Sequence, residues 1–134
     1  MNDTDIIRIG KRLRDRSLPK AEWTHAAHVA AAVYVLDRHG ARAEAVMPEL
    51  IRRYNAATGT PNTDSEGYHH TITLASLRRI RAEARGGTLS ERFARAMAAG
   101  LDRADWLLAH YTRERLFSVA ARREWVEPDL SPLP

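Results

Sequence analysis

The chain has 134 residues, 44% of them hydrophobic and 28% charged, which suits one compact domain with a real core and not a disordered chain. It has no cysteine, so disulfides, thiol nucleophiles, zinc fingers and iron–sulfur clusters are excluded, and any metal would need His, Asp or Glu ligands. The formal charge of +4 is carried almost wholly by arginines spread along the chain, whereas a nucleic-acid face wants clustered cations with interleaved aromatics, so nucleic acid is set aside as a partner.

Asp3 or Thr4 is placed to cap a first helix ending near Arg16, with Ile6, Ile7, Ile9 and Leu13 on its apolar side. Pro19 disfavours a helical Leu18 and stops it. A second helix runs from Trp23 or Thr24 to His39, closed by Gly40. It carries no charge from His28 to Leu36, the pattern of a central, buried helix. That apolar run is too short and too interrupted to span a bilayer, and the N-terminus has no signal-peptide core, so a cytoplasmic protein without membrane partners is expected.

The third helix is expected over 41–57, with a kink or a fresh start at Pro48. Residues 58–67 read as a loop, and a fourth helix is expected over 68–84. A fifth begins at Thr88 or Ser90 and ends near Gly100, and Asp102 is placed to cap a sixth through Tyr111. The proline-rich stretch from Trp125 to Pro134 reads as an extended tail lying on the bundle. No window alternates with period two, so the expectation is one all-α domain over 1–134, a bundle of five or six helices.

Four of the six histidines fall at two helix starts, in Trp23-Thr24-His25-Ala26-Ala27-His28 and in Gly67-Tyr68-His69-His70-Thr71-Ile72-Thr73. His25 and His28 are one turn apart and share a stripe with Ala32, while His69, Ile72, Thr73, Ser76 and Ile80 share a face opposite Arg78. If the N-terminal ends of these two helices meet, the positive helix ends would keep the imidazoles neutral, as metal coordination and general-base chemistry both require. Three readings stay open. His25, His28 and His69 could bind Zn or Fe, with Glu22 or Asp64 as an oxygen donor. Alternatively, His25, His28, His69, Tyr68, Thr71, Thr73 and Asn55 could line a pocket for a small molecule, with loop 58–67 as its rim. Finally, these side chains could satisfy one another and the helix ends, with Thr24 as a cap. In that third case the chain would be a non-catalytic module whose buried second helix contributes to a homodimer. Whether the protein is an enzyme is left undecided.

The order Leu18-Pro19, Trp23-Thr24-His25-x-x-His28, Tyr54-Asn55 with Gly59, Gly67-Tyr68-His69-x-Thr71-x-Thr73 and Trp125-Val126-Glu127-Pro128-Asp129-Leu130 resembles a family of small bacterial helical proteins with no assigned activity. The likeness spans most of the chain. Glutamate usually follows the Tyr-His pair in that family, where this chain has His70, so no carboxylate role is carried over. The resemblance implies that the histidine region is a site, and implies no chemistry for it.

Overall fold

The computed structural model describes residues 1–134 and is all-helical, with no strand. Its seven α-helices are α1 (Asp3–Asp15), α2 (His25–His39), α3 (Ala43–Ala57), α4 (His70–Glu83), α5 (Leu89–Ala98), α6 (Arg113–Leu116) and α7 (Val119–Arg123). Tighter 3₁₀ turns occur at Lys20–Glu22, Gly40–Arg42 and Ala104–Ala109.

Local chemistry explains most of the boundaries. Every helix except α3 starts after a side chain that accepts a hydrogen bond from its free first-turn amides. Asn2, not Asp3 or Thr4, caps α1, in a reciprocal box with Asp5. Thr24 caps α2, and Thr88 with Glu91 boxes the start of α5. The fourth helix begins at His70 and not at Tyr68, because His69 itself is the cap.

One alternative at Pro48 is removed, and one expected helix is replaced, for identifiable reasons. No fresh start occurs at Pro48; α3 continues through it, and the proline sits in the second turn, where it forfeits only the amide that would have reached the Glu44 carbonyl. The helix expected from Asp102 to Tyr111 is instead a 3₁₀ run preceded by Arg103, with no side-chain cap. Thr112 and Ser118 then turn their hydroxyls onto the amides of Arg115 and Ala121. Each starts a new short helix there, which divides the C-terminal quarter into three pieces and raises the count to seven.

Packing places α2 against α1, α3, α4 and α5. Ala27 and every residue from Val29 to Leu36 are buried within the single chain, so the apolar surface of this helix, expected to serve a homodimer, already has its cover. On α1, Ile6, Ile9, Gly10 and Leu13 form the buried stripe. Gly10 permits a very close approach to α2: a β-carbon there would lie 2.1 Å from Cδ1 of Tyr34. The Pro19 turn is pinned from α3, where the buried Tyr54 hydroxyl donates to the Leu18 carbonyl at 2.8 Å.

Residues 124–134 are non-helical and tied down along their length. Thr71 donates to the Glu124 carbonyl (2.8 Å) and accepts from the Val126 amide (3.2 Å), while Tyr111 donates to the Val126 carbonyl (2.7 Å). Asp129 accepts from both the amide and the hydroxyl of Thr112. Arg78 lies over the Trp125 ring at 4.2 Å. No helix is long and apolar enough to cross a membrane.

Candidate functional site

Two adjoining cavities open where α2, α3 and α4 converge. The inner one, about 150 Å³, is bounded on α2 by His25, His28, Val29 and Ala32, and on α3 by Met47 and Ile51. From α4, Ile72, Thr73, Ser76, Leu77 and Ile80 face it, and Leu101, Asp102 and Ala104 close the far side. The outer cavity, about 300 Å³, has Trp23, Asn55, Thr60, Gly67, Tyr68 and His69 on its walls. His28, Ile51, Ile72 and Thr73 line both, so they form the partition between them.

His28 is the chemically distinctive member of this partition. Its Nδ1 donates to the Thr24 carbonyl one turn back at 2.7 Å, and this fixes the tautomer that leaves Nε2 with a free lone pair. Trp23 stacks on the ring at 3.8 Å, and His25 lies 6.4 Å away, centroid to centroid. Part of the His28 ring remains open to solvent, while the rest is crowded by Trp23 and the cavity walls. That crowding is the main reason its pKa lies below the ordinary histidine value; the Thr24 carbonyl opposes the shift and the His25 charge adds to it. The result is a neutral imidazole with a hydrogen-bond acceptor available at the cavities.

His69 is used differently. Its Nδ1 accepts from the Ile72 amide at 3.2 Å, capping α4, and its Nε2 donates to the Leu116 carbonyl of α6 at 2.7 Å. Both nitrogens are consumed inside the protein, and burial, ahead of the Arg122 charge, holds its pKa low. The three-histidine metal set is therefore not assembled, since His69 has no lone pair to give. The suggested oxygen donors are committed as well: Glu22 pairs with Arg8 at 2.9 Å and Asp64 with Arg123 at 2.6 Å. No three His, Cys, Asp or Glu side chains are grouped so as to hold a metal ion, so the donor set fits neither Zn nor Fe.

The remaining expected residues divide between wall and scaffold. Tyr68 is buried beneath Arg52, whose guanidinium lies 4.4 Å from the ring centroid, and its hydroxyl bonds Nδ1 of His70 at 2.8 Å. Burial pushes the Tyr68 phenol up to about 12. Asn55 donates to Asn62 Oδ1, which also accepts from the Tyr68 amide, so this pair shapes loop 58–67. Gly67 permits the loop to close: its φ is +81°, and a β-carbon there would meet the Pro61 carbonyl oxygen at 2.2 Å. Thr73 gives its proton to the His69 carbonyl and lines both cavities. Thr71 lines neither; it faces away, towards the C-terminal tail.

Asp102, Met47, Ile51 and Leu101 are wall residues that the sequence reading did not name as site residues. Their only sequence signal is ordinary helix or turn chemistry, and it is the tertiary fold that brings them to the histidine stripe. Ser76 makes no hydrogen bond to His28 or Asp102, so no hydroxyl–imidazole–carboxylate relay is present. What the site offers is an apolar hole with a few polar atoms on its walls.

The low pKa values of His28, His69 and His70, all due first to burial, carry a consequence for stability. An unfolded histidine takes up its proton near pH 6.5, before the folded one does. Stability is therefore complete above that value and is lost as pH falls through 6.5 towards the folded pKa values. The urea midpoint is expected to be lower at pH 5.5 than at pH 7.5, and His69→Gln to flatten the difference. A midpoint that rises on acidification would contradict this reading.

Comparison with protein-family models, with curated proteins and with solved structures finds no match for this chain, so the reading of the site rests on its own geometry.

Proposed function

We propose that this protein is a small-molecule-binding helical domain, its ligand held between the N-terminal halves of α2 and α4 with His28 as the orienting hydrogen-bond partner. One observation carries the reading: His28 sits in the partition between two cavities, with Nδ1 anchored and Nε2 free. Ligand sites commonly combine apolar walls with a few convergent polar groups. A cavity of about 150 Å³ has room for a benzene-sized guest.

Benzyl alcohol is a direct probe, since its ring suits the inner cavity and its hydroxyl can donate to Nε2. Binding is expected with a dissociation constant of about 0.1–1 mM, the range accessible to so few heavy atoms. Quenching of Trp23, which stacks on His28, provides a readout alongside calorimetry. Ala32→Leu should fill the inner cavity and abolish binding while leaving the fold intact. His28→Ala should erase the advantage of benzyl alcohol over toluene. Binding that survives Ala32→Leu unchanged would place the probe elsewhere and overturn the proposal.

A further inference from the structure

The charge of the inner cavity runs against that of the whole chain. Of 21 lysines and arginines, none lines it, and its one formally charged wall residue is Asp102. Four carboxylates in the chain, Asp3, Asp5, Glu44 and Asp102, are partly shielded from solvent without being fully exposed or buried. Asp3 accepts from the Ser90 amide, Asp5 from the Asn2 amide, and Glu44 pairs with Arg78 and Arg81. Asp102 alone has neither a hydrogen bond nor an ion pair, in a protein rich in arginines that could have supplied one. Its carboxylate is therefore uncommitted within the protein and free to pair with a ligand at the cavity wall.

Two of the other polar wall residues, His28 and Thr73, share its character. The His28 Nδ1 proton is spent on Thr24, and the Thr73 hydroxyl proton on the His69 carbonyl. Neither therefore has a proton left to offer an anion. With Asp102 they make an acceptor-rich, cation-free lining around a hole the size of a six-membered ring and one substituent. An anionic ligand would meet a carboxylate and no counter-charge. An ammonium group brings positive charge and several N–H donors, which is what these acceptors lack. Resting on the small-molecule reading above, we infer that the ligand is a small apolar monoamine. Its ammonium group would pair with Asp102 and its body would fill the space between Ile51, Leu77 and Ile80.

Calorimetry on the full-length protein at pH 7 with benzylamine, benzyl alcohol and benzoate separates the possibilities. Benzylamine, a cation at that pH, is expected to bind about tenfold more tightly than benzyl alcohol, with benzoate not bound. Asp102→Asn should bring benzylamine down to the alcohol's affinity and leave the alcohol unchanged; Ala32→Leu should abolish both. If the amine has no advantage in the wild-type protein, or keeps its advantage in Asp102→Asn, the inference fails. The small-molecule reading then stands on the alcohol and its loss in Ala32→Leu. If neither amine nor alcohol binds, both fail together.

Discussion

Replacing His69 with alanine is expected to cost roughly 2–4 kcal/mol of folding stability, on physical grounds that involve no ligand. The imidazole caps α4 through the Ile72 amide, and losing such a cap costs about 1 kcal/mol. It also supplies the only donor to the carbonyl of the fully buried Leu116, and an orphaned buried carbonyl costs about 1–3 kcal/mol. Urea unfolding should show a lower midpoint with an unchanged slope. His69→Asn separates the two contributions, since asparagine can cap but cannot reach α6; it should recover about 1 kcal/mol. A cost for His69→Ala below about 1 kcal/mol would mean that these bonds do not hold the two helices as described. His28→Ala is expected to cost much less, because its free Nε2 satisfies no protein group.

The second large effect is at Gly10. Glycine to alanine inside a helix normally stabilises by about 1 kcal/mol, so the expected sign here is reversed. The added β-carbon would fall 2.1 Å from Cδ1 and 2.3 Å from Cγ of Tyr34. Cγ is only two bonds from the α2 backbone, so the ring cannot swing clear and α1 must move outward. Overpacking of this kind costs about 1–3 kcal/mol, which exceeds the propensity gain. A double-mutant cycle with Tyr34→Ala, which removes Cγ and the ring together, isolates the contact: the Gly10→Ala cost should largely vanish in that background. The Tyr34 hydroxyl is buried without a partner, so its removal sacrifices no hydrogen bond. Gly10→Ala as stable as the wild type would show that the two helices have slack between them.

The all-helical class was legible because helical spacing and capping residues recur along the sequence. The faces were legible too: the stripe of His25, His28 and Ala32 and the face of Ile72, Thr73, Ser76 and Ile80 both line the inner cavity. The role of His69 was not. At the cap position a side chain no longer follows helical periodicity, and its partner on Leu116 lies 47 residues away. The low pKa values of His28 and His69 have a different cause from the one read in the sequence, where helix ends were invoked; in the structure, burial comes first. The extra helices were missed because four- and five-residue segments carry too little periodicity to register beside a proline-rich tail.

The loop over residues 58–67 is not held by its own neighbours in the chain alone. Arg122 donates to the Gly67 carbonyl at 3.1 Å, Arg123 grips the Asp64 carboxylate, and His69 reaches Leu116 just beyond the loop. The rim of the outer cavity is thus clasped by α6 and α7, which a ribosome delivers after all the cavity walls. Until those residues emerge, a nascent chain can form the walls on α2, α3 and α4 but cannot fasten the loop. The site is therefore finished only once synthesis has passed Arg123. In the folded protein, opening of α6 and α7 and exposure of the site form one cooperative event.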